Sequence, residues 1–172
     1  MESPSFTLGK YARRAYPPVM IDFASVELSQ QLLVIINAAI AAILGSAIGW
    51  ERDRAGKSVG PRTMALVGAS AAAIVNIGQV LDVNAKFGDP TRAMHAIITG
   101  IGFLGAGLIF QTRDSGTKGV TTAATVFATA AMGCAVGLGF QIASVGLTVI
   151  ILIVLRSTHM LEITANRRHD DD

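Results

Sequence analysis

Few residues in this chain have the chemistry to bind or transfer anything, and they stand in short clusters. Glu51-Arg52-Asp53-Arg54 is one, followed closely by Lys57, Arg62 and Thr63. Asp89-Pro90-Thr91-Arg92, with His95, is a second, and Thr121-Thr122 a third. Charges beside apolar sequence can pair in a protein interior, line an ion path or hold a solvated helix end. For Glu51 two readings stand. Either it pairs locally at a solvated helix end, or it enters the interior and faces Arg62, whose charge would hold it ionised. Asp89 is a good N-cap and Pro90 suits the first helical position. Yet Asp89, Arg92 and His95 recur at spacings of three and would fall near one face of a helix as a polar mouth. Thr121 and Thr122 suit a helix start, where hydroxyls cap amides or bond back to carbonyls. His95 lacks a second histidine or cysteine at ligand spacing. Glu51, Asp53, Asp89 or Asp114 could give magnesium an oxygen ligand, but no spacing brings two of them together. No serine–histidine–acid set is present. The expectation is therefore no catalytic residue, no metal site, no cofactor and no enzymatic activity.

The elements that must position these residues are apolar. Of 172 residues 51% are hydrophobic and 15% charged, with a mean hydropathy of +0.52. Soluble domains are nearer a quarter charged. The charges also cluster between long apolar runs: about Leu28–Trp50, Met64–Leu81, Ala93–Phe110, Val120–Phe140 and Gln141–Leu155. Roughly 20 helical residues span the ~30 Å hydrocarbon core. The runs lack the alternation of membrane strands. The expected fold is all-α, a polytopic membrane bundle of about five transmembrane helices, the fifth short. Residues 1–27 read as a polar tail and a poor signal peptide. Residues 28–155 form the membrane domain, and 156–172 a short cytoplasmic tail. The pI near 9.0 does not indicate nucleic acid, because the basic residues sit at the ends of apolar runs and no basic stripe interleaves with aromatics. The expected surroundings are a lipid bilayer. Cys134, the one cysteine, reads as a small packing residue.

Small residues suggest how the helices meet. Gly45 and Gly49 form one GxxxG, and Gly133 and Gly137 another. In lipid such faces let backbones approach closely. Packing within one chain is the first reading and a homodimer seam the second. Gly100, Gly102, Gly105 and Gly107 crowd the third run. Their GxGxxG pattern sits in an apolar run with no acid at the required distance, so it is no dinucleotide site. It reads as a smooth helix surface for packing, with an unwound, cavity-lining segment as the alternative. Asn76 and Gln79 lie one turn apart and could bond across to another helix.

Basic residues set the orientation. Arg52, Arg54, Lys57, Arg62, Arg113, Lys118, Arg156, Arg167 and Arg168 fall on one side. Lys10, Arg13, Arg14, Lys86 and Arg92 fall on the other. The first side is expected in the cytoplasm, with the N-terminus outside.

Three segments carry a family resemblance. Glu51-Arg52-Asp53-Arg54-Ala55-Gly56-Lys57 with Gly60-Pro61-Arg62-Thr63 resembles the ER-x-x-AGK…G-x-RT stretch of the MgtC/SapB family. Asp89-Pro90-x-Arg92 with Gly100-Ile101-Gly102-Phe103-Leu104-Gly105-Ala106-Gly107 is similar to its DP-x-R…GIGFLGAG signature. Gly119-Val120-Thr121-Thr122-Ala123-Ala124 is similar to its GLTTAA segment. Thr99, Phe127 and Met64 depart from residues usual in the family without breaking these motifs. The resemblance covers about residues 28–155 and is to the short form, without the ACT-like C-terminal domain of longer members. It implies a bacterial inner-membrane protein linked to magnesium homeostasis, growth at low magnesium and, in pathogens, survival in host cells. It also implies that Glu51, Arg52, Arg62, Thr63, Asp89, Arg92, Thr121 and Thr122 are the functional polar residues. Modulation of other membrane proteins, such as ATP synthase or transporters, is one implied activity. A small ion-coupled carrier or channel for magnesium, protons or potassium is the other.

Overall fold

A computed structural model describes residues 26–85, 89–112 and 116–169. Its helices are α1 (Leu28–Arg54), α2 (Pro61–Ala85), α3 (Pro90–Leu108), α4 (Val120–Gly137) and α5 (Gln141–His169). α1, α2 as far as Asp82, and α4 are long and apolar enough to cross a membrane, and α5 adds the apolar stretch Gln141–Ser157. The expected helical membrane bundle is therefore observed. Ile35, Ile43, Ile142 and Ile153 are among many large side chains left on its outside. Water would penalise such a surface, whereas lipid tails solvate it.

Two boundaries differ from the sequence reading. The third apolar run ends as a helix at Leu108. Strand β1 (Phe110–Thr112) follows and pairs antiparallel with β2 (Gly116–Lys118), in the register Phe110↔Lys118. Gly119 makes this possible. Its φ is +90°, and a Cβ there would run into the Leu108 carbonyl, so glycine alone lets the hairpin fold back on the end of α3. α5, for its part, runs unbroken past Leu155 to His169, so the backbone of most of the proposed tail is helical. The N-terminal tail, Lys86, Arg113 and Asp114 lie outside the described residues.

The centre of the bundle is α2, with α1 on one side and α4 on the other. A Cβ on Gly45 would strike the Met64 carbonyl, and one on Gly49 would lie 2.5 Å from Pro61 Cα. Gly68 faces the Ala41 carbonyl in return, with its built Cβ at 2.7 Å. On the other side, a Cβ on Gly133 would meet the Gly68 carbonyl, and one on Gly137 would stand 2.5 Å from the Ala72 carbonyl. Both GxxxG pairs are thus used inside the chain, as the first reading held, with α1 antiparallel and α4 parallel to α2. Around these contacts lie three apolar clusters. Ala41, Ile48, Ala72, Met132, Val136 and Leu155 form one. A second joins Ala71, Val75, Ile97, Ala130 and Cys134, and the third joins Val59, Met64 and Val126. Cys134 is buried there as a packing residue.

Candidate functional site

The first motif is built as a helix stop and a helix start. α1 closes with Lys57 N–H donating to the Arg52 carbonyl and Gly56 N–H to the Asp53 carbonyl, both at 3.0 Å. Gly56 has φ +66°. This pair of bonds is the Schellman motif, which needs a left-handed residue just past the helix. Pro61 then opens α2 at the position where a missing N–H costs nothing. The tight turn holds Arg52 against the interior. It is 2% exposed, and its Nη2 donates to Thr122 Oγ1 of α4 at 3.4 Å. Thr122 is buried as well.

This arrangement corrects the sharper reading of Glu51. Arg52, not Glu51, is the charge that enters the bundle, and Arg62 is exposed at the start of α2 without pairing to Glu51. The reason is helical phase. Arg52 continues the buried stripe of Ala41, Gly45, Ile48 and Gly49 at steps of three and four, while Glu51 is rotated off it. Glu51 is partly buried at the edge, and its Oε2 accepts no hydrogen bond. Thr63 is exposed beside α3, in a shallow groove with Phe103, Gly107 and Val126. Thr121 is exposed too, and its carbonyl accepts from Thr125 Oγ1 at 2.7 Å.

At the opposite end Asp89 caps α3. Its Oδ1 accepts from Thr91 N–H at 2.8 Å, Thr91 Oγ1 at 2.6 Å and Arg92 N–H at 3.4 Å. The Thr91 side-chain bond, then the backbone bonds and Arg92, hold this exposed carboxyl below its ordinary pKa. A lowered pKa means the cap is intact above the ordinary carboxylate range and is lost as pH falls through the lowered value. The amide NMR shifts of Thr91 and Arg92 are expected to titrate together, with a midpoint below that of an unperturbed aspartate. Asp89→Ala should remove the titration, and a midpoint at the ordinary value would refute the cap. Arg92 and His95 are exposed; Asp89 caps the helix, and the Arg92 charge lies close enough to favour its ionised form.

A second buried polar cluster lies toward this end, around the α4–α5 turn. Asn76 Nδ2 of α2 donates to the Gly137 carbonyl at 2.9 Å, one of the carbonyls that the end of α4 leaves open. Gln141 Nε2, at the start of α5, donates to Asn37 Oδ1 of α1 at 2.9 Å. Asn37 and Asn76 are 5% and 8% exposed. The inter-helix bond expected of Asn76 is therefore present. Sequence reasoning passed over Asn37 and Gln141, although Asn37 lies four residues before Ala41 on the stripe that carries Arg52. Asn76→Ala should destabilise the bundle by about 1 kcal/mol, in the range of inter-helix bonds in membranes. A thermal melt in mild detergent would show it, and a Tm equal to the parent's would remove the bond from the account.

The glycine-rich face of α3 is the other departure. α3 is a regular helix throughout, not unwound. Within this chain only Gly105 meets a neighbour, with its built Cβ 3.7 Å from Ala123 Cβ. Gly100, Gly102 and Gly107 meet nothing within 4 Å, and Phe103 is 81% exposed. The packing expected of these three glycines is not made inside the chain: Gly100 and Gly107 border open grooves beside α2, and Gly102 lies about 160° round the helix from them.

Comparison with known proteins covers most of this architecture. The MgtC family model matches residues 38–163, from within α1 to within α5. The chain belongs to the MgtC family. An uncharacterised Haemophilus influenzae protein is 34% identical over 143 residues, 80% of this chain and 60% of that protein. Escherichia coli K12 YhiD, named as a candidate magnesium transporter, is 37% identical over 132 residues, 74% of this chain and 61% of its own length. Brucella abortus MgtC is 38% identical over 132 residues, 74% of this chain and 54% of that protein. The chain thus spans about 60% of the first relatives it matches. No solved structure is a significant match. In this MgtC-family chain the motif residues divide by position. Arg52 and Thr122 join α1 to α4 inside the bundle, Gly56, Pro61, Asp89, Pro90 and Gly119 shape helix ends, and Glu51, Arg62, Thr63 and Arg92 lie at its edges.

Proposed function

We infer that this chain is a non-enzymatic protein of the bacterial inner membrane that serves magnesium homeostasis by modulating another membrane protein. The distribution of basic residues supports a cytoplasmic location for the Arg52 end and an outside N-terminus. Kinship with MgtC, and with a relative named for magnesium transport, supports the link to magnesium. The face of α3 carries the reading. On its outer side Gly102 at one edge, and Gly100 and Gly107 at the other, flank the exposed Phe103, and a Cβ on any of the three meets nothing within this chain; small residues of this kind let another helix approach closely. A strain lacking the protein, complemented with Gly102→Leu, is expected to grow poorly at limiting magnesium while the variant accumulates normally. Full growth would overturn the reading. Cross-linking through Gly102→Cys identifies the occupant, as either a second copy forming a homodimer or another membrane protein.

A small ion carrier has one observation in its favour. Asn76 Oδ1 and Gln141 Oε1 are buried without hydrogen-bond donors, and unmet oxygens suit a cation or its water. Magnesium, proton or potassium flux in liposomes that Asn76→Leu abolishes would establish the carrier. Absence of flux leaves the modulator.

A further inference from the structure

Where α1 ends, a groove of about 390 Å³ runs between it and α5, lined by Ala47, Trp50, Glu51, Arg54, Leu152 and Arg156. Its polarity changes along its length. Ala47 and Leu152 lie one helical turn deeper than Glu51 and Arg156 and are apolar, while the charges gather at the mouth. Trp50 is half exposed, and the Arg54 guanidinium sits 5.4 Å from its ring centroid. A tryptophan stacked under an arginine marks the headgroup level of a bilayer.

The charges in this groove do not satisfy one another. Glu51 Oε2 is buried and accepts no hydrogen bond. No ion pair joins it to Arg54 or Arg156, although the three line one groove. The carboxylate has room for a cationic N–H donor, and the two guanidiniums, both exposed at the groove mouth, can take an anion with several acceptor oxygens. A ligand that answers both carries a primary ammonium a few bonds from a phosphate, and an acyl chain to lie along Ala47 and Leu152. We propose that the α1–α5 groove binds an aminophospholipid of the phosphatidylethanolamine type, with its ammonium on Glu51 and its phosphate between Arg54 and Arg156. A choline headgroup cannot donate a hydrogen bond to Glu51, and a glycerol headgroup has no positive charge to offer it. The groove therefore selects among lipids, unlike a merely basic patch.

Trp50 is the chain's one tryptophan, so its fluorescence reports this site directly. The full chain is reconstituted in phosphatidylcholine vesicles containing, at equal mole fraction, bromine-labelled phosphatidylethanolamine, phosphatidylglycerol or phosphatidylcholine. The ethanolamine lipid is expected to quench Trp50 several-fold more effectively than the other two. Glu51→Gln should abolish its advantage, and Arg156→Ala should weaken quenching by both phosphatidylethanolamine and phosphatidylglycerol. Equal quenching by all three lipids overturns the site. Stronger quenching by phosphatidylglycerol overturns the role of Glu51 and leaves only a basic patch. If the variants fail to fold, the unaltered chain suffices. Successive N-methylation of the ethanolamine headgroup removes donors one at a time and should reduce quenching step by step, and an unchanged signal across that series refutes the proposal.

Discussion

Gly133→Val is expected to leave little folded protein in the membrane, while Gly102→Val, the same change on another helix, is expected to fold like the parent. At Gly133 a side chain would run into the Gly68 carbonyl and come within 3.0 Å of Ala71 Cβ. The obstacle is backbone, so it cannot rotate aside, and α4 would have to separate from α2. Overpacking a close interface typically costs about 1–3 kcal/mol and more where backbone must move, out of a total stability of order 5–15 kcal/mol. Separation would also open the contacts among Ala71, Ala130 and Cys134 and those around Met132 and Val136. At Gly102 a new Cβ meets nothing, and alanine or valine there gains helix propensity over glycine. Expression level, monodispersity in mild detergent and thermal melting of the two variants decide the matter. A normal melt for Gly133→Val would mean that α2 and α4 are not in backbone contact.

The second large effect is expected at Arg52. Truncation to alanine removes a long buried side chain between α1 and α4 and deprives Thr122 Oγ1 of a charged donor. Hydrogen bonds to charged groups contribute about 1.5–3 kcal/mol, and a cavity adds to the loss. The expected destabilisation is roughly 3 kcal/mol, visible as a marked fall in Tm. Arg52→Lys should recover only part of it, because an ammonium on a shorter reach replaces the planar fork. Thr122→Val separates the direct contact from general packing. Combined with Arg52→Ala, its effect should fall short of additivity by about 1 kcal/mol. Strict additivity would show that the two residues do not act on each other. By contrast, Arg62→Ala, on an exposed residue, should melt close to the parent.

The architecture was legible in the sequence because its causes are local. Apolar runs of spanning length and Asp89-Pro90 before a helix each state their outcome through geometry that needs no partner. The inward turn of Arg52 was also written there, since it falls three residues beyond Gly49 on the same stripe. Glu51 was the charge considered for the interior, as one of two open readings, and the phase of Arg52 went unused. Periodicity could not fix the direction of the α3 glycines. A glycine stripe says that something can approach closely, and whether it does depends on where the rest of the bundle lies. The hairpin Phe110–Lys118 escaped notice because each strand has only three residues, too few for an alternating pattern to stand out. The Asn37–Gln141 bond joins positions 104 residues apart, a distance that no reading of local pattern bridges.

The carbonyls of α2 have one more consequence. Met64 and Gly68 present bare backbone to glycines on both sides, toward α1 at Gly45 and toward α4 at Gly133. Nothing compressible lies between the three helices there, so no cushion of rotating side chains can absorb a displacement. α1, α2 and α4 must move as one stiff spine. Any motion that carries a message from one side of the bilayer to the other is left to α3, its hairpin and α5. Amide hydrogen exchange should divide along that line, slowest at the mid-membrane amides of α2 and α4 and faster in α3.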